Sequence, residues 1–123
     1  MKKIIIDTNA LMAIAEWKIN LLEEIHNVSD FPYQVCVLSG TIVELKKIME
    51  EQRGKFKRGA KLALSLIKAL GVKVIVSSGY VDDELVRESE KGAIVLTQDV
   101  ALKKRLVNPY MTIRQKKMVI LVK

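Results

Sequence analysis

The chain has 123 residues, half of them apolar and 28% charged, with a single cysteine and a formal net charge of +7. That length suits one ordinary domain, residues 1–123, able to fold without staples, and the composition excludes a disordered segment or a disulfide scaffold. The charge favours polyanions, nucleic acid first, but a solvated basic surface also serves solubility, so it decides nothing until the acids are placed.

Met1-Lys2-Lys3 opens like an export signal, yet Ile4, Ile5 and Ile6 are followed at once by Asp7. The apolar run is too short for a signal core or a membrane span, and the lone Cys36, inside the run Val35–Leu38, suits a buried thiol in a reducing cytosol.

Lys3 to Ile6 is expected to be a buried strand that Asp7-Thr8-Asn9 turns into a helix carrying Leu11, Met12, Ile14 and Ala15. Asn20 caps a second helix with Leu21, Leu22 and Ile25, ended by the turn-rich stretch from Asn27 to Pro32. Tyr33 to Leu38 reads as the next strand, and Ser39-Gly40-Thr41 opens an amphipathic helix with Ile42, Leu45, Ile48 and Met49 on one face and Glu44 in its first turns. The basic stretch from Gln52 to Gly59 reads as an exposed connection before a helix through Leu62, Leu66, Ile67 and Leu70 that stops at Gly71.

Val72 to Val76 is a third strand, Val81 to about Lys91 a helix closed by Gly92, and Ala93 to Leu96 a fourth strand. Thr97-Gln98-Asp99 leads into a helix with Leu102 and Leu106, Asn108-Pro109 breaks it, and Met118 to Val122 is the final strand. Strands with continuous apolar cores alternating with helices indicate an α/β fold: three layers, α/β/α, around a mostly parallel twisted sheet.

In open sheets of this type ligands sit beyond the carboxyl ends of the strands. Asp7 directly follows the first strand and Asp99 the fourth, while Glu44 and Asp82 fall in the opening turns of helices after the second and third. Four carboxylates gathered there repel one another and call for a compensating cation. Carboxylate oxygen suits Mg²⁺ or Mn²⁺, which can polarise a phosphate and activate water, so the pattern points to phosphodiester hydrolysis.

Asp7-Thr8-Asn9 after an opening strand, Glu44-Leu45 in the second unit, Asp82 at a helix start and Thr97-Gln98-Asp99 after a late strand together resemble the PIN-domain ribonuclease family over nearly the whole chain. Tyr80–Glu84 with Thr97–Arg105 is similar to its archaeal Fcf1-related, VapC-like group. The resemblance implies a metal-dependent endoribonuclease, in ribosomal-RNA processing or as a toxin. The partners it implies are RNA, an antitoxin protein or a pre-ribosomal particle, and a second copy in a homodimer. Asp7, Glu44, Asp82 and Asp99 would take the roles of metal ligands, directly or through water, with Asn9, Thr97 and Asp83 as polar support. Ala101 stands where the family often has a further acid, and both one-ion and two-ion schemes fit.

Each residue also has a bland reading. Asp, Thr and Asn are ordinary turn and cap residues, Glu44 is a normal acid near a helix start, and Asp99 is a normal cap. Asp83 or Glu84 is an alternative to Asp82 as third ligand, and His26 reads as a surface residue. The cations Arg53, Lys55, Lys57 and Arg58, and Arg114, Lys116 and Lys117, are candidate RNA contacts whose default is a solvated face. A receiver domain would pair Asp7 with an acidic neighbour, and a haloacid-dehalogenase-like phosphatase would need an aspartate where Asn9 stands; this chain has neither. A non-catalytic RNA-binding or ribosome-assembly factor on the same fold is the competing class.

Overall fold

A computed structural model describes residues 1–107 and 109–123. Its described elements are β1 (Lys2–Ile6), α1 (Thr8–Trp17), α2 (Leu21–Val28), β2 (Tyr33–Leu38), α3 (Ser39–Glu51), α4 (Lys55–Leu70), β3 (Lys73–Ile75), α5 (Val81–Glu90), β4 (Ile94–Leu96), α6 (Val100–Arg105), β5 (Tyr110–Arg114) and β6 (Met118–Val122).

Successive side chains of a strand point to opposite faces, so the run Ile4-Ile5-Ile6 requires apolar cover on both. All three are fully buried, Ile4 and Ile6 in one core cluster and Ile5 in the other. Burial of each contributes roughly 1.5–3 kcal/mol, which holds β1 at the sheet centre. The strand order is β3-β2-β1-β4-β5-β6, with β1 parallel to both neighbours and β6 antiparallel to β5. Leu11, Ile14, Ile25, Leu45 and Ile67 from α1 to α4 fill the first cluster, while Val81, Leu85 and Leu102 from α5 and α6 fill the second. The result is the expected α/β/α layering.

The chain lays β1, β2 and β3 side by side in one direction and then returns to place β4 on the other side of β1. The reversal between β1 and β4 opens a crevice at their carboxyl ends, because the following helices leave to opposite faces. Ile6 pairs with Leu96, so the next residues, Asp7 and Thr97, stand side by side at that crevice.

The structure corrects several expectations. α4 starts at Lys55, so only Gln52-Arg53-Gly54 connects it to α3, and Phe56 to Gly59 are helical although exposed or half-exposed. The glycine that suggested a loop packs against α1: a Cβ at Gly59 would lie 3.2 Å from the Cε of Met12. Leu62 faces solvent while Ala60, Ala63 and Ile67 form the buried stripe of α4. The third strand is only Lys73–Ile75, an edge strand with Val76 outside it and exposed. β5 was not expected, and it makes β6 the second arm of a hairpin. The expected helix break at Asn108-Pro109 includes a residue outside those described.

Candidate active site

Asp7 is the N-cap of α1, its Oδ1 accepting from the Thr8 amide at 2.8 Å. Its Oδ2 accepts from the Thr97 hydroxyl at 2.8 Å, and that same hydroxyl accepts from the Asp99 amide at 3.1 Å. Thr97 therefore ties the acid that ends β1 to the acid that follows β4. Asp99 caps α6 through Oδ1, which accepts from the Leu102 amide at 3.1 Å, and its Oδ2 has no protein hydrogen bond among the described residues. Asn9 supports the same junction, its side-chain oxygen accepting from the Gln98 amide at 3.1 Å. The Gln98 side chain accepts in turn from Thr112 and Ile113 on β5.

The other two acids arrive on helices. Ser39, Gly40 and Ser77 join the start of α3 to the segment before α5, with the Ser77 amide donating to Ser39 Oγ at 2.9 Å and the Gly40 amide to Ser77 Oγ at 3.1 Å. A larger residue there would force a shift, since a Cβ at Gly40 would meet Val81 Cγ2 at 2.9 Å. This close approach sets α3, with Glu44, against α5, with Asp82. Glu44 accepts from the Thr8 hydroxyl, linking α3 to the Asp7 turn.

Asp7, Glu44, Asp82 and Asp99 line one cleft of about 370 Å³, together with Thr8, Asn9, Lys47, Met12 and Ile48. Asp7 is 4% exposed, and burial is the main reason its carboxyl is pushed up from 3.8 to about 6. The negative charges of Asp82 and Glu44 push the same way, while the bonds from Thr97 and Thr8 pull against them. The four acids from four strand-to-helix units thus share one space, and two of them are felt electrostatically at a third.

The donor set suits a hard cation bound loosely rather than caged. Among the described residues no three acidic, cysteine or histidine side chains stand close enough to enclose an ion by themselves. Carboxylates spread around an open cleft fit Mg²⁺ or Mn²⁺, which keep several waters and take substrate phosphates as ligands. Each Asp7 oxygen accepts one protein hydrogen bond and retains a lone pair.

Not every candidate enters the cleft. Asp83, expected as support or as an alternative ligand, is instead paired with Arg105 at 2.7 Å, and Glu84 is paired with Arg87. His26 is exposed on α2, and Cys36 is buried in the second core cluster, where burial raises its thiol pKa. Arg114, Lys116 and Lys117 lie at the β5–β6 hairpin, with Lys116 Nζ 5.7 Å from the ring centre of Trp17, at the end of α1 opposite Asp7. Sequence reading missed Lys47, the one cation lining the cleft among the described residues; its signal was the three-residue spacing from Glu44, which puts both on one helix face.

A family model described as a PIN-like domain matches residues 4–116. The chain is 32% identical over 124 residues to ribonuclease VapC4 of Methanocaldococcus jannaschii, covering 95% of this chain and 94% of that protein. It is 30% identical over 103 residues to ribonuclease VapC9 of Archaeoglobus fulgidus, covering 82% and 73%. Among solved structures, the PIN domain endonuclease Utp24 superposes with a TM-score of 0.74 at 19% identity, over 97% of this chain and 90% of that one. A domain of a functionally unknown protein from Methanocaldococcus jannaschii gives 0.55 at 18%, over 85% and 83%. At these identities the two structures speak for the fold alone.

Proposed function

This chain belongs to the PIN-like domain family, and from that premise we propose that it is a metal-dependent endoribonuclease hydrolysing RNA phosphodiester bonds. The observation that carries the reading is the meeting of Asp7, Glu44, Asp82 and Asp99 in one cleft at the sheet's switch point. The kinship with two archaeal VapC ribonucleases supports RNA as substrate.

In this reading the four acids hold Mg²⁺ or Mn²⁺, directly or through water. When bound, the ion supplies Lewis acidity to the phosphate and a water of lowered pKa. The residues of the chain do the positioning. Thr97 and the Thr8 amide fix both oxygens of Asp7, so its carboxylate meets the ion without a search through rotamers. Asp99 keeps one oxygen free of its capping role. Thr8 orients Glu44, and Asn9 anchors the loop before Asp99. Lys47 offers a positive charge to a phosphate oxygen at the mouth.

A toxin controlled by an antitoxin protein and a ribosomal-RNA-processing enzyme acting on a pre-ribosomal particle would use this same site. The VapC relatives favour the first setting. The site of action in this reading is the cytoplasm. Among the described residues no helix is long and apolar enough to cross a membrane.

The test is cleavage of unstructured and structured RNA by purified protein with Mg²⁺, Mn²⁺ or chelator, beside Asp7→Asn and Asp99→Asn variants prepared in parallel. The expected result is metal-dependent cleavage that falls at least about a hundredfold in either variant. Cleavage equal in parent and variants would assign the activity to a contaminant and favour the non-catalytic RNA-binding reading.

A further inference from the structure

The acidic cleft borders a larger groove of about 850 Å³ between α1 and the α3–α4 hairpin. The two share Asn9, Met12 and Ile48, so the groove lies within reach of a chain laid across the acids. Its volume lies within the roughly 300–1,000 Å³ of sites that enclose a small ligand. Its surface is largely apolar, and Phe56 lines it while 60% exposed.

The rim is cationic. Lys55 and Arg58 line the groove, and Lys57 lies exposed between them in the sequence. Glu16 is the one acid lining it among the described residues, and Lys55 neutralises it at 2.9 Å. Lys55 thereby ties α4 to α1, but Arg58 and Lys18, which also line the groove, have no ion-pair partner among the described residues, and the aromatic does not serve the fold. The first turn of α4 carries three cations and no acid, although a helix N-terminus disfavours positive charge by roughly 0.3–1 kcal/mol each. Phe56 gives up most of the burial that would stabilise it.

A ligand that carries regular negative charge and flat apolar rings matches both features. An unpaired RNA strand does so, because its bases are free to stack on an aromatic ring while its phosphates meet lysine and arginine; a duplex keeps its bases stacked inside. An amphipathic protein helix would fill the apolar floor but has no general need for the cations or for continuity with an acidic cleft.

We propose that this groove is a nucleobase subsite: an unpaired base next to the scissile phosphate stacks on Phe56, and Lys18 and Arg58, the lining cations without an ion-pair partner among the described residues, pair with the adjoining phosphates. The position of the scissile phosphate rests on the nuclease reading above. The consequence is selectivity for single-stranded over paired RNA, set by a residue outside the acidic cleft.

Binding without cleavage tests it. Fluorescence anisotropy in chelator would compare a short unstructured oligoribonucleotide with the same sequence as a duplex, for the parent, Phe56→Ala and Phe56→Trp, after circular dichroism shows equal folding. Phe56→Ala should weaken single-strand binding roughly 5- to 100-fold, Phe56→Trp should restore it, and duplex binding should stay unchanged. A double Lys18→Gln, Arg58→Gln variant should weaken both and flatten the salt dependence by the equivalent of about two phosphates. Single-strand binding unaltered in Phe56→Ala, or an equal loss for duplex, overturns the proposal. So does a Phe56→Ala protein that changes oligomeric state in sedimentation with RNA binding intact, which would make the groove a contact between copies. If the parent cleaves no RNA but binding depends on Phe56, the nuclease reading fails while the subsite stands; cleavage with binding indifferent to Phe56 is the reverse.

Discussion

Replacing Asp7 by asparagine should make the metal-free protein more stable at neutral pH, and the gain should vanish in acid. The Asp7 carboxyl titrates near 6 in the fold against 3.8 for a free group, chiefly because it is buried. A shift of about two pH units corresponds to roughly 3 kcal/mol. The sign follows from proton linkage: the folded state holds this proton more tightly than the unfolded chain does. The fold therefore suffers no penalty from Asp7 below about pH 4, loses stability as pH rises from 4 to 6, and bears the full cost above that. Asparagine keeps the cap on α1 but loses the bond from Thr97, a pH-independent cost of about 1 kcal/mol. Asp7→Asn should thus lie about 1 kcal/mol below the parent at pH 4 and about 2 kcal/mol above it at pH 7.5. Urea unfolding of both proteins in chelator between pH 4 and 8 measures the gap, and most other titrations cancel in the difference. A gap constant across that range would refute the reasoning that Asp7 is held in the site against its own electrostatics.

Thr97→Val removes the hydroxyl that both lowers the Asp7 pKa and accepts from the Asp99 amide; a carbon-13 NMR titration should find the Asp7 carboxyl above 6, and unfolding should show a loss of roughly 1–3 kcal/mol. Gly40→Ala forces a methyl to 2.9 Å from Val81 Cγ2; the melting temperature should drop by several degrees, matching a cost of about 1–3 kcal/mol, and an unchanged value would mean that α3 and α5 are not in tight contact. Gln115 and Lys116 both have positive φ, 57° and 54°, at the two centre positions of the β5–β6 turn; Gln115→Asn, better suited to that conformation, should raise stability by about 0.5–1 kcal/mol in a thermal melt.

The parts of the fold that were legible in the sequence are those where one local pattern admits one outcome. Ile4-Ile5-Ile6 followed by Asp7-Thr8-Asn9 specifies a doubly covered strand and a capped helix with little competition. Gly71, with φ of 60°, ends α4 where the sequence indicated. What was not legible depended on partners distant in the chain. Gly59 looks like a loop residue until Met12 is seen against it. β5 was missed because Tyr110–Arg114 is short and its hairpin turn uses Gln115-Lys116 in place of the usual Asn-Gly. Local sequence also left Asp82, Asp83 and Glu84 equivalent; Arg105 and Arg87 engage the latter two, and Asp82 lines the cleft. Lys47 and the groove beside Phe56 join α1, α3 and α4, and no single segment announces them.

The most direct test of the central claim, that carboxylates from separate units act as one cation site, is isothermal titration of Mn²⁺ into the parent and into folded Asp7→Asn, Asp82→Asn and Asp83→Asn proteins. The account predicts binding by the parent, binding weakened at least about tenfold by either of the first two changes, and no effect of Asp83→Asn, whose carboxylate is engaged with Arg105. Mn²⁺ binding that is absent from the parent, or indifferent to Asp7 and Asp82, would contradict it.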